Sequence, residues 1–158
     1  MASPGKLEVE MEIKSPTDKF WESIRSSTTL FPKVLSDYYE RIEVVEGDGK
    51  SEGSVRLVKY TSTGGIPVIT MSKERIDLVD EANKVEAYSA IEGDILKFYK
   101  HFRARVHVTT AGGDDKKKVV KWSCEFDKAS DEVPDPHLVQ DFATKTLKAL
   151  DDYLVNNA

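Results

Sequence analysis

A chain of 158 residues with 39% hydrophobic and 32% charged residues has the length of one domain, and we predict a single domain over residues 1–158. Its formal net charge of −5 argues against a dedicated nucleic-acid-binding protein, which would usually carry a basic face. No apolar run is long enough for a transmembrane helix, so we expect no integral membrane association.

The first predicted element is a strand over residues 6–14, in which apolar and charged residues alternate strictly. A period of two is typical of a strand with one buried and one solvated face. Ser15 is predicted to cap a short helix that contains Phe20 and Ile24 at helical spacing. A second short helix is predicted over residues 28–35.

Six further strands are predicted, separated by glycine-containing or polar turns. They cover residues 41–46, 54–60, 68–79, 85–91, 98–109 and 117–127. The apolar positions of the 68–79 strand change parity along its length, which predicts a β-bulge between Ser72 and Arg75. Residues 112–115 are predicted to join the last two strands as a hairpin turn.

The last predicted element is an amphipathic helix of roughly 20 residues, because apolar residues recur every three or four positions from Leu138 to Leu154. Strands and helices therefore occupy separate blocks of the chain. This arrangement indicates an α+β domain with an antiparallel sheet, against which the long helix buries its apolar stripe.

Several short passages, spread over the whole length, resemble the plant Bet v I-type superfamily and most closely its major latex protein branch. They are KLEVE at 6–10, LFPKV at 30–34, EGDG at 46–49, YSAIEGD at 88–94, and VKW at 120–122 with VPDP at 133–136. The resemblance implies the helix-grip fold, a seven-stranded curved antiparallel sheet around a long C-terminal helix, with two short helices after strand 1.

The resemblance also implies a function. Family members bind hydrophobic or amphipathic small molecules, such as sterols, fatty acids, flavonoids or hormone-like compounds, in a large apolar cavity. We therefore expect a carrier or sensor that acts in plant stress, defence or development. Its partner would be a small molecule rather than a nucleic acid, and we expect no cofactor.

Strand alternation and the resemblance together predict the ligand-contacting residues. Residues 54–60 leave two inner sets open, Val55 with Leu57, or Arg56 with Val58 and Tyr60. The family register favours the second set. The predicted contacts are Phe31, Tyr38, Arg56, Val58, Tyr60, Met71, Tyr88, Phe102, Trp122, Cys124, Phe142 and Thr146. We expect Arg56 to favour a ligand with a carboxylate or another acceptor, because an unpaired buried cation is costly.

Two alternative functions remain open. Catalytic relatives place a lysine, a tyrosine and a carboxylate inside the cavity, so an isomerase or lyase of secondary metabolism is one of them. Tyr60 and Tyr88 are candidate acids or bases, and Lys73 or Glu86 would join them if either side chain points inward. The other is a ligand-gated interaction module with residues 63–67 as the gate, although the His-Arg-Leu latch of receptor relatives is absent.

Other features of the sequence are interpreted as structural. A phosphate-binding loop at residues 49–51 would need a glycine where Val44 stands. His101 and His107 lie roughly 20 Å apart along one strand, too far to share a metal. Cys124 is predicted to be a buried small hydrophobe rather than a nucleophile.

The expected compartment and assembly state follow from the cysteine count, the N-terminus and the charge. A single cysteine excludes an internal disulfide and fits a reducing compartment. No apolar segment near the N-terminus resembles a secretion signal, so we expect a cytoplasmic protein. The net charge of −5 suits a monomer.

Overall fold

The fold is seen in a computed structural model that describes residues 4–111 and 117–157, so the turn predicted at residues 112–115 lies outside the described residues. The strands are β1 (Pro4–Glu12), β2 (Tyr39–Glu46), β3 (Val55–Tyr60), β4 (Met71–Asp80), β5 (Val85–Gly93), β6 (Tyr99–Ala111) and β7 (Lys117–Lys128). In the described part of the chain they form one antiparallel sheet in the order β1-β7-β6-β5-β4-β3-β2. The predicted seven-stranded antiparallel sheet is therefore confirmed.

The helices also follow the predicted order. In the part of the chain that the structure describes, they are α1 (Thr17–Arg25), α2 (Ser27–Val34) and the 20-residue α3 (His137–Asn156), with one 3₁₀ turn over Asp94–Lys97. The two short helices come directly after β1, and α3 ends the chain, as the helix-grip fold requires. No helix within the described residues is long and apolar enough to span a membrane.

The junction between β1 and α1 differs from the prediction. Pro16 occupies the N-cap position of α1 without a side-chain hydrogen bond, so the predicted Ser15 cap is wrong. Ser15 is buried instead, and its hydroxyl donates to Asp151 of α3 at 2.6 Å. The backbone N–H groups of Lys14 and Ser15 donate to the same carboxylate, at 2.9 and 3.0 Å. Asp151 therefore ties the end of β1 to the long helix.

The irregularity of β4 lies farther along the strand than predicted. β4 has no extra residue between Ser72 and Arg75, so the predicted bulge is not in this strand, although the pairing of β4 with β5 does shift between Lys73 and Glu74. The extra residue of β4 is Asp77, and a second irregularity places an extra residue at Ile91 of β5. Ile69, on which the parity argument depended, precedes β4 and belongs to the β3–β4 connection. Its position therefore carried no information about the phase of the strand.

The glycine-rich loop between β2 and β3 is closed by the side chain of Asp48. This carboxylate accepts hydrogen bonds from the N–H groups of Ser51 at 2.7 Å and Lys50 at 2.8 Å. These bonds, with that of Ser51 first, lower the pKa of Asp48 below its ordinary range. Gly47 and Gly49 have positive φ angles of 77° and 82°, which other residues rarely adopt. The loop is a tight connection of two strands.

The hydrophobic core lies between the inner face of the sheet and α3. The buried residues of the helix recur at a spacing of three or four, and they are Phe142, Thr146, Leu147, Leu150 and Asp151. This spacing places them on one side of the helix. α1 and α2 pack against β6, β2 and α3 at one end of the sheet. Sheet and helices thus surround an interior space.

Candidate ligand cavity

A cavity lies between α3 and the inner face of the sheet, with about 120 Å³ of space open to the centre of a water molecule. Roughly 10–15 Å³ by this measure is enough for one water, so the space is far larger than a packing defect. All strands from β2 to β7 and all three helices contribute to its wall, which is mostly apolar. Such a wall with a few polar groups is typical of a site for a small organic molecule.

All twelve predicted contact residues lie in the described part of the chain, and nine of them line the cavity. These are Phe31, Arg56, Val58, Tyr60, Tyr88, Phe102, Trp122, Phe142 and Thr146. In β3, the inner set is the one that the family register favours. The structure places the other three, Tyr38, Met71 and Cys124, outside the lining.

Tyr38 and Met71 are displaced by local geometry. Tyr38 lies in the α2–β2 connection, where its ring packs edge-on against Phe142 at 6.0 Å between centroids. Tyr38 therefore packs against a residue of the cavity wall without lining the cavity itself. Met71 is paired with the exposed Lys59 of β3, while the next residue, Ser72, lines the cavity. The misplaced bulge in β4 explains why the parity of Met71 was predicted incorrectly.

Cys124 points inward, but to a different part of the core. It is 1% exposed and lies between Leu7 of β1 and Ala104 of β6 in the sheet register. Burial raises the pKa of its thiol to about 11. A thiol in this state is a poor nucleophile, which agrees with the structural interpretation of Cys124.

The cavity also contains a cluster of buried charges. Arg56 of β3 contacts Glu74 of β4, with 3.3 Å between Nη2 and Oε1, and donates from Nη1 to the hydroxyl of Ser27 at 3.0 Å. Glu86 of β5 is 3% exposed and lies 3.9 Å from Arg56 and 3.6 Å from Arg25 of α1. The premise of an unpaired Arg56 is therefore wrong, because the chain itself supplies carboxylates for this guanidinium.

The two carboxyl groups of the cluster are held in an unfavourable environment for charge. Burial raises the pKa of Glu74 and of Glu86, and Arg56 opposes this effect at both residues. The charge of Glu86 raises the pKa of Glu74 further. Groups of this kind favour a partner that stabilises the ionised form or else take up a proton.

Some polar atoms of the cluster remain without hydrogen bonds. Among the described residues, Nε of Arg56 and Oε1 of Glu86 are buried and have no hydrogen-bond partner. The ion pairs of Glu86 Oε1, at 3.6 and 3.9 Å, are too long to count as hydrogen bonds. An unsatisfied buried polar group costs free energy, and a bound molecule would be able to satisfy it.

Aromatic rings lie beside the charged cluster. Tyr39 packs against Phe31 at 5.3 Å, against Phe142 at 5.4 Å and against Tyr60 at 5.8 Å, measured between ring centroids. Burial raises the pKa of Tyr39, Tyr60 and Tyr88, and the nearby charge of Glu74 raises each of them further. The three tyrosines and Glu74 belong to the same cavity wall.

Sequence reasoning missed two important residues of this wall. Glu74 is not among the predicted wall residues, whereas its pairing with Arg56 places it on the inner face. Tyr39 was overlooked in favour of its neighbour Tyr38. Of the two catalytic candidates whose orientation was open, Glu86 lines the cavity, whereas Lys73 pairs with Glu92 at 2.8 Å and is not part of the wall.

The loop between β3 and β4 covers part of the cavity. Ile66 and Ile69 contribute to the lining. A side chain at Gly64 or Gly65 would collide with the backbone carbonyl oxygens of Asp37 or Thr61, respectively. The two glycines are therefore required for close packing of the loop, whether or not it opens.

Comparison with known proteins defines the family. The model of the Pathogenesis-related protein Bet v 1 family matches residues 2–157. The chain belongs to this family. It is 42% identical to MLP-like protein 423 of Arabidopsis thaliana over 155 residues, which cover 98% of this chain and 97% of that protein. MLP-like protein 31 of the same plant is 33% identical over 152 residues, 96% of this chain and 86% of that protein. The chain therefore lies on the major latex protein branch.

Solved structures of Bet v 1-type proteins share the fold. Ginseng major latex-like protein 151 from Panax ginseng has a TM-score of 0.85 at 26% identity, over 95% of this chain and 97% of that chain. Norcoclaurine synthase from Thalictrum flavum has a TM-score of 0.75 at 21% identity, over 98% of this chain and 88% of that chain. The second likeness concerns the fold alone.

Proposed function

We propose that this Bet v 1 family protein binds a hydrophobic or amphipathic small molecule in the cavity and serves as a carrier or sensor. The observation on which this proposal rests is a mostly apolar internal cavity whose wall includes a compact charged cluster. Each 100 Å² of apolar ligand surface removed from water contributes ~2.5 kcal/mol. Binding of hydrophobic molecules by family members supports the same conclusion. A cytoplasmic location and a monomeric state stay predictions.

The proposal is tested by obstructing the cavity. Ala143 of α3 lines it, whereas Lys145, on the same helix, is exposed. The Ala143→Phe variant introduces a ring into the ligand space, and Lys145→Phe adds the same ring at the surface. In titrations with a fluorescent hydrophobic dye, we expect the first variant to weaken binding about tenfold or more and the second to change it less than about twofold.

The outcome is informative once folding has been checked by circular dichroism. Equal dye binding by the wild type and both variants would place the dye on the surface and contradict the proposal. Failure of the folded wild type to take up any dye or hydrophobic molecule would contradict it as well.

A second candidate function, an acid–base enzyme, is favoured by the burial of Glu74 and Glu86 in a cavity wall that also contains Tyr39, Tyr60 and Tyr88. Perturbed carboxyl groups in a cavity are typical of proton-transfer sites, although structural ion pairs perturb them too. An enzyme would convert a molecule of a plant extract, and the Glu86→Gln variant would lose conversion while it still binds. Unchanged extract metabolites after incubation with the wild type would count against this candidate.

A further inference from the structure

The charge balance of the cavity wall points to the kind of ligand. Among the described residues that line it, two carry carboxylates, Glu74 and Glu86, and one carries a guanidinium, Arg56. Behind the wall, Arg25 lies 3.6 Å from Glu86 and 3.1 Å from the exposed Glu81. With all groups ionised, this connected cluster has three carboxylates and two guanidinium groups. Because Glu81 is exposed and shares Arg25 with Glu86, the excess of carboxylate that a ligand would meet is the one at the wall, where two carboxylates face one guanidinium.

We propose that the ligand of this cavity carries a positively charged amine at one end, which pairs with Glu74 and lies against the neighbouring tyrosine rings. This inference rests on the proposed function, since it assigns the chemistry of the molecule that the cavity holds. The apolar remainder of the ligand would contact the aliphatic and aromatic side chains of the wall.

Glu74 has an acceptor free for such a group. Its Oε1 atom pairs with Arg56, and within the described residues no hydrogen bond involves its second carboxylate oxygen. The side chain keeps 13% exposure although it forms part of the cavity wall. A donor inside the cavity can therefore reach this carboxylate without breaking its bond to Arg56.

The rings around Glu74 suit a cation as well. Tyr39, Tyr60 and Tyr88 line the cavity together with Glu74, and the Cζ atom of Arg56 already lies 5.9 Å from the centroid of the Tyr88 ring. Tyr39 and Tyr60 also join Phe31 and Phe142 in one aromatic group. The face of an aromatic ring attracts a cation, and the attraction increases where water is excluded. Carboxylate and rings thus act on the same end of a ligand.

Other ligand ends fit less well. A carboxylate would be repelled by Glu74 and Glu86. The Nε of Arg56 has no partner among the described residues, but the Nη1 and Nη2 groups are already bound to Ser27 and Glu74. A neutral hydroxyl would be able to donate to Glu74, but it would not balance the excess of negative charge at the wall. We therefore expect an amine to bind more tightly than an alcohol, and an alcohol more tightly than an acid, when the apolar body is the same.

Three probes with one apolar body test this order: 2-(2-naphthyl)ethylamine, 2-(2-naphthyl)ethanol and 2-naphthylacetic acid, titrated into the full chain by calorimetry near neutral pH. We expect the amine to bind about threefold more tightly than the alcohol and at least about tenfold more tightly than the acid, as for a charge-assisted hydrogen bond. The Glu74→Gln variant should reduce the preference for the amine over the alcohol to within about twofold and leave the affinity for the alcohol nearly unchanged.

The control is Glu92→Gln, which neutralises an exposed glutamate of β5 that is not part of the cavity wall and should preserve the wild-type order. If Glu74→Gln does not fold, the order of the three affinities measured with the wild type decides whether the inference holds. An acid that binds as tightly as the amine, or more tightly, overturns the inference while the proposed function stands. An undiminished preference for the amine in folded Glu74→Gln also overturns it. If none of the probes binds, the proposed function itself fails.

Discussion

Removal of the Asp151 carboxylate should strongly destabilise the fold. Three donors depend on this buried side chain: the N–H groups of Lys14 and Ser15 and the hydroxyl of Ser15. Each hydrogen bond to a charged acceptor makes a net contribution of ~1.5–3 kcal/mol to the free energy of unfolding, and donors left unpaired in a buried site lower it further. Because Lys14 is exposed and water can reach its N–H group, we expect Asp151→Ala to lower the free energy of unfolding by about 3–5 kcal/mol in total.

The assay is urea denaturation followed by fluorescence, with Asp152→Asn as a control at the exposed neighbouring position. The control should stay within ~0.5 kcal/mol of the wild type. Asp151→Asn keeps the shape and one oxygen acceptor, so it should fall between the other two variants. A loss of less than ~1 kcal/mol in Asp151→Ala would refute the reasoning that this carboxylate joins β1 to α3.

Further predictions concern titration and reactivity. The pKa of Glu86 is raised in the folded state, so the free energy of unfolding of the wild type should fall as the pH rises from the ordinary carboxyl range. Urea titrations at several pH values should show a smaller fall for Glu86→Gln. The groups that face Glu86 are Arg25, Arg56, Glu74 and Glu81. The pKa of Asp48 is lowered, so Asp48→Asn should be less stable than the wild type at neutral pH, and this difference should shrink as the pH falls through the carboxyl range. A buried thiol with a raised pKa should react with a disulfide reagent only after unfolding, so rapid labelling of native Cys124 would contradict the structure.

The fold could be predicted well because its patterns are local. The alternation in β1 has the period of a strand, and the spacing of apolar residues in α3 has the period of a helix. Both elements form where these patterns occur. The family resemblance then supplied the strand arrangement and the cavity, which periodicity does not contain. The face of β3 followed from the same register and agrees with the structure.

The charged cluster could not be predicted because it depends on the alignment between strands. Arg56 meets Glu74 only through the β3–β4 register, and Glu86 approaches Arg56 from a third strand. Without the strand register, Arg56 looks like an unpaired cation, and this is why the sequence predicted a ligand with a carboxylate or another acceptor. Extra residues at Asp77 and Ile91 also shift the strand phase, and no simple sequence pattern marks either position. The two carboxylates of the wall are the reason why we propose a ligand with an amine where the sequence alone predicted one with a carboxylate or another acceptor.

The most direct test of the account is native mass spectrometry of the wild type and of Ala143→Phe after incubation with plant extract. The account predicts a one-to-one adduct on the folded wild type that disappears on unfolding and is strongly reduced in Ala143→Phe, with Lys145→Phe behaving like the wild type. An adduct of equal abundance on all three proteins, or a folded wild type that carries no adduct, would contradict the claim that this cavity is a ligand site.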